Sequence, residues 1–195
     1  MLKQEAISII AGTGELRQYD DLLADVRDDD KLHSIRSLVQ PDDPEVKEVA
    51  RVLLNAKDFI SAAREFVNSF TTYGTEVGDY WSEPWETLAG RSGDCDCLAI
   101  LLCSLLRNQI APEKVYCAFG LWTVAGKTEG HMWVVIEGEN GEDRILESTA
   151  PPDKPDQGKY VLYGMFNDRY AFSTDAGLKE FELKPVKLGE VSLRR

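Results

Sequence analysis

Apolar residues recur at helical spacing through the first half of the chain and alternate through the second. From Glu45, Val46, Val49, Val52, Leu53, Ala56, Phe59, Ile60, Ala63, Phe66, Val67 and Phe70 keep one helical phase. The pattern predicts one long helix there, or two with a bend, opened by the turn Pro41-Asp42-Asp43-Pro44. Leu98, Leu101, Leu102 and Leu105 mark a second strong stripe within residues 91–107. Between them, Pro84 opens a short helix over Trp85 to Leu88.

After residue 113 the pattern changes. Strands are predicted over Val115–Val124, His131–Glu137, Arg144–Thr149, Tyr160–Met165, Tyr170–Ser173 and Glu180–Leu183. Ala125-Gly126, Asn140-Gly141, Pro151 to Gly158, Asn167-Asp168 and Ala176-Gly177 read as the turns between them, and Gly126 to Gly130 as a flexible loop. A helical half before a strand half predicts an α+β fold, with the Leu98–Leu105 helix packed on an antiparallel sheet.

Residues 1–44 read as an acidic N-terminal arm and 45–195 as the main domain. Ala6 to Ile10 is briefly apolar, Gly12 and Gly14 interrupt it, and Asp20 to Asp30 is rich in aspartate. Leu32 to Val39 is a short amphipathic piece, and its His33 reads as an exposed helix histidine.

Composition narrows the classes of partner. The 195 residues are 43% hydrophobic and 29% charged, ordinary for a soluble globular chain. A formal net charge of −12 argues against nucleic acid and anionic membrane as partners. No apolar run is long enough to span a bilayer, and the first residues are too polar for a signal peptide, so a cytoplasmic address is expected. Cys95, Cys97, Cys103 and Cys117 lack the paired spacing of a structural zinc site, so neither metal nor cofactor is expected. The oligomeric state is left open.

Chemistry concentrates at Gly93-Asp94-Cys95. Gly93 suits a tight turn and Asp94 an N-cap, which puts Cys95 in the first turn of the helix. Unpaired N–H groups and the positive end of the helix dipole there favour a thiolate. Cys97 lies about 200° further round the helix and cannot share that outlook. Cys97, Cys103 and Cys117 read as small core residues.

A thiol nucleophile needs a base, and the base an orienting acid. The chain has two histidines, and His131 opens a strand while His33 lies in the arm. If Glu139-Asn140-Gly141 closes a three-residue hairpin with Gly141 left-handed, Gly138 pairs with Glu142 and Glu147 shares a face with His131. A two-residue Asn140-Gly141 turn would point Glu147 the other way. Trp81 and Trp85, just upstream, either wall a groove and offer an indole N–H to an oxyanion or lid the core.

The run Trp81-x-x-Pro84-x-Glu86-Thr87-Leu88, followed by Gly93-Asp94-Cys95-Asp96-x-x-Ala99, His131-x-Trp133 and Leu146-Glu147-Ser148-Thr149, resembles the transglutaminase-like superfamily. It is most similar to the prokaryotic and phage-type cysteine peptidases of that group. The resemblance covers roughly residues 45–150 and includes the spacings of 36 and 16 residues between Cys95, His131 and Glu147. It implies a papain-like core, a Cys–His–acid triad and a protein or peptide substrate. Glu147 stands where the family usually has aspartate, and Cys97 where it often has an acid. Amide hydrolysis is the expected reaction, as in a cysteine peptidase or amidase, with transfer to an amine and peptide binding without catalysis as the alternatives. Acyl transfer from a thioester cofactor ranks behind them, because no nucleotide pocket is suggested.

Overall fold

The computed structural model describes residues 14–74, 80–138, 141–150 and 158–187. The apolar stretch Ala6 to Ile10 and most of the proline-rich turn before Gly158 lie outside the described residues. In chain order the elements are β1 (Arg17–Tyr19), β2 (Asp21–Ala24), β3 (His33–Ser34), α1 (Pro44–Leu53), α2 (Phe59–Phe70), β4 (Thr72–Tyr73), α3 (Pro84–Gly90), β5 (Ser92–Gly93), α4 (Cys95–Leu106), β6 (Val115–Val124), β7 (Lys127–Glu137), β8 (Asp143–Leu146), β9 (Lys159–Phe166), β10 (Ala171–Ser173), α5 (Asp175–Glu180) and β11 (Lys184–Val186). No described helix is long and apolar enough to cross a membrane.

The long amphipathic run is two helices, and each begins at its own aspartate. Asp43 accepts the backbone N–H groups of Glu45 and Val46, with Pro44 at the first helical position. Asp58 accepts from Ser61 N–H at 3.1 Å and starts the second helix. α4 is buried on every side from Asp96 to Leu106 rather than along one stripe. It is the axis of the core, packed against α1, α2 and α3 and against the sheet through β7. Its C-terminal end is tied down by Arg107, which grips both carboxylate oxygens of Asp168 at 2.6 and 3.1 Å.

The main sheet has six strands in the order β1-β10-β9-β6-β7-β8, all antiparallel. This is the predicted α+β arrangement, a central helix on an antiparallel sheet. A register shift falls between Phe119 and Gly120 in the β6–β9 pairing. A Cβ on Gly120 would lie 1.9 Å from the Val161 carbonyl oxygen, so only glycine fits there.

Several expectations are corrected. Gly126 to Gly130 is no flexible loop: Ala125 (φ 49°) and Gly126 (φ 78°) make a tight left-handed turn, and β7 starts at Lys127. The strand was hidden because residues 127–130 are exposed and show no apolar alternation. Ala176-Gly177 lies inside α5, capped by Thr174 through Gly177 N–H at 3.0 Å, and the final strand follows at Lys184 rather than spanning Glu180–Leu183. His33 sits in a strand, with Nε2 2.7 Å from Asp29 Oδ1.

The segment expected to stand apart as an arm packs into the core instead. β1 pairs with β10, and β2 lies between β11 and β3. Leu22 and Ile35 are fully buried, and Leu38 shares its apolar cluster with Val46 across the expected boundary at residue 44. The aspartates mask a short strand in which only alternate residues are buried.

Candidate active site

Cys95 is the first residue of α4, as its position after Asp94 predicts. The local reasons differ from those expected. Gly93 belongs to β5, and its requirement is space: a Cβ there would lie 2.6 Å from the Cys97 Cβ. Asp94 holds the N-cap position, but its side chain makes no capping bond and its Oδ1 is buried without a hydrogen-bond partner.

The thiol itself departs most from expectation. Burial pushes Cys95 from 9.0 up to about 12; Asp96 adds to the rise, a hydrogen bond from the Met132 backbone N–H works against it, and Asp94 and Glu147 raise it further. A rise of that size is worth roughly 4 kcal/mol. A helix terminus offers about 1 kcal/mol in the other direction. Burial and the neighbouring carboxylates therefore oppose the thiolate that the helix terminus was expected to favour.

The Met132 contact also locates the sulfur. Met132 follows His131 in β7, so the start of α4 abuts the strand that carries the imidazole. His131 is buried, and its Nε2 lies 2.9 Å from Glu147 Oε2. The three-residue turn is the one present: Gly138 N–H donates to Glu142 O at 2.7 Å, Gly141 has φ 74°, and Val134 pairs with Leu146. Residues 139 and 140 themselves lie outside the described residues.

Glu147 is held at every oxygen. Tyr160 Oη donates to Oε2 at 3.0 Å, while Thr149 N–H and Oγ1 donate to Oε1 at 3.0 and 2.7 Å. Arg64 of α2 fixes the Glu147 carbonyl at 2.8 Å. Burial acts to raise the carboxyl, but the His131 bond and charge and the Thr149 bonds outweigh it, and the carboxyl is held below its ordinary value. Four donors thus fix the Glu147 carboxylate in place. Trp122 stacks on the imidazole with ring centroids 5.0 Å apart. Trp133 and Tyr160 pack edge to face beside it, also at 5.0 Å.

The two upstream tryptophans differ in role. Trp81 is buried and stacks on Phe166 at 6.1 Å, so it lids the core. Trp85 is 43% exposed, and its indole N–H donates to Glu83 at 2.7 Å. Cys97 and Cys103 are fully buried, and Cys117 donates to the Ala99 carbonyl at 3.4 Å, as core residues would. Asp94, Cys95 and Asp96 each offer one ligand atom, all within 4.8 Å of one another. A cation held there would take the sulfur as a ligand and compete with its use as a nucleophile.

Tyr160 and Trp122 were missed from sequence. No local motif marks Tyr160, which reaches Glu147 from β9, on the far side of the sheet order from β8. Trp122 sits two positions beyond Gly120, which pairs with His131, so strand register alone could have placed it nearby.

No protein-family model matches the chain, and no curated protein matches it either. Among solved structures, calcium-bound LapG of Legionella pneumophila is similar with TM-score 0.49 and 20% identity over 68% of this chain and 77% of that one. A second LapG structure gives 0.49 and 15% over 70% and 92%, and the EGTA-treated form 0.46 and 16% over 70% and 94%. A likeness of this degree carries no function over to the present chain.

Proposed function

We propose that this chain performs thiol-dependent acyl chemistry on amide bonds, with Cys95 as nucleophile, His131 as base and Glu147 as the acid that orients it, and that it hydrolyses peptide bonds. The observation that carries the reading is the buried His131–Glu147 bond. An ionised Glu147 accepts from Nε2, so Nε2 carries the ring proton and Nδ1 presents its lone pair. That is the tautomer a base needs toward a thiol.

Because burial raises the Cys95 thiol, ionisation accompanies attack. His131 Nδ1 takes the S–H proton as the sulfur bonds to the carbonyl carbon, and Glu147 stabilises the resulting imidazolium. The backbone N–H of Cys95 is the first oxyanion donor, a contribution of about 3 kcal/mol. Collapse breaks the C–N bond, and the leaving amine takes the proton from His131. A water deprotonated by His131 then cleaves the thioester, releasing the acid and restoring the thiol. An amine in place of that water would make the same site a transamidase.

A second reading draws on the raised Cys95 pKa: the same cleft binds peptide and the thiol stays inert. Labelling by a peptide vinyl sulfone separates the two. Under the proposal, Cys95→Ala abolishes labelling and turnover, while Cys97→Ala keeps both. Labelling that survives Cys95→Ala and disappears with Cys97→Ala would overturn the assignment.

A further inference from the structure

The edge of β7 beyond β8 is unlike the rest of the sheet. β8 covers β7 only from Val134 to Glu137. Among the described residues, no strand pairs with β7 on that side between Lys127 and Trp133. Gly138 turns its N–H toward β8, and the β6–β7 register runs unbroken from Val124↔Lys127 to Val115↔Ile136. Alternation then aims the N–H and C=O of Thr128, Gly130 and Met132 at the same uncovered side. The Met132 N–H, on that side, is also the backbone group that acts on the Cys95 sulfur. Residues 127–130 are exposed.

β4 lies close to this end of the sheet. Tyr73 is 53% exposed; partial burial of its phenol raises it first, and the charges of Cys95, Asp94, Glu129 and Asp96 add to the rise. Tyr73 thus shares a neighbourhood with Cys95 and with Glu129 of β7. The acidic groups there are Asp94 and Asp96, which each place one atom within 4.8 Å of the sulfur, and Glu129, with Lys127 at the outer end of the strand.

The geometry points to an extended, basic peptide segment as the substrate, added as a strand on the β7 edge through Thr128 and Gly130 so that its backbone is delivered to Cys95. Main-chain bonds to those two residues give register without reading side chains. The carboxylates around the sulfur favour lysine or arginine near the bond to be cut. Folded proteins are excluded unless they offer a strand-length linker. This inference rests on Cys95 being the nucleophile, and its test is one of binding, so the two can fail separately.

The probe is a short fluorescein-labelled peptide of alternating lysine, alanine and valine, offered to the Cys95→Ala protein. Anisotropy should report binding, and amide exchange should slow at Thr128 and Gly130. The same peptide N-methylated at alternate amides should bind at least about tenfold more weakly. Gly130→Pro should weaken binding similarly, since it removes an outward N–H that no strand among the described residues pairs with. Gly130→Ala should not, because a Cβ there has open space. Unchanged exchange at both amides, or equal binding of the N-methylated peptide, would overturn strand addition. Equal binding of a glutamate-for-lysine peptide would overturn the charge preference. Peptide binding with no acylation of Cys95 in the intact protein would leave strand addition standing and sink the hydrolase.

Discussion

Replacing Glu147 by glutamine tests the site through its acid. The amide keeps an oxygen for Thr149 N–H and Oγ1. Its NH2 then faces His131 Nε2 and Tyr160 Oη, both of which donate to the carboxylate in the native protein. Tyr160 Oη can turn to accept from the amide, but the Nε2–H of His131 then meets a donor. One lost bond to a charged acceptor costs about 1.5–3 kcal/mol. His131 can relieve part of this by moving its ring proton to Nδ1. That tautomer cannot accept the Cys95 proton, and kcat should fall by about 10⁴-fold, the usual effect of such a swap in a triad. The pH dependence has a defined sign. Glu147 is held below its ordinary 4.5 in the fold, so its contribution is present above that value and is lost as pH falls through the lower folded value. Urea unfolding at pH 7 should show the full gap between wild type and Glu147→Gln. The gap should narrow in acid, below pH 4.5. A variant within about 1 kcal/mol of wild type at pH 7, with undiminished turnover, would refute the reasoning.

Tyr160→Phe removes one of four bonds to Glu147 and should cost about 1–3 kcal/mol in urea unfolding while the rings stay packed. Its activity loss should fall on kcat rather than KM and shift the pH profile, which simple loosening would not do. Asp96→Asn removes the charge that, after burial, does most to raise Cys95, so the alkylation midpoint should move down. Burial remains, so the thiol should still titrate above an ordinary cysteine. Gly120→Ala should unfold the sheet centre or cost several kcal/mol, because its Cβ would strike the Val161 carbonyl; thermal denaturation reads this directly.

The legible parts of the fold were those written in long periodic stretches. α1, α2 and α4 announced themselves through repeated apolar positions, and β6 through ten residues between clear turns. β2, β3 and α5 did not, because two to six residues hold too few repeats to show a period. Leu22 was hidden for a further reason: its burial comes from partners distant in sequence, while Asp20, Asp21 and Asp25 dominate its local composition. The site divides the same way. Cys95, His131 and Glu147 could be singled out by residue type, spacing and one assumed turn. The upward shift of the thiol could not, since its first cause is burial that only folding creates. Tyr160 arrives from β9, across a connection that no spacing rule predicts.

The central claim is that Cys95, His131 and Glu147 act as one acyl-transfer unit. Its most direct measurement is the mass of the protein after reaction with an activated peptide ester, with the acylated residue mapped by peptide sequencing. The account predicts one acyl group on Cys95, formed rapidly in the wild-type protein and at least about a hundredfold more slowly in His131→Ala. Acylation of Cys95 at the same rate without His131, or no acylation of Cys95 at all, would contradict it.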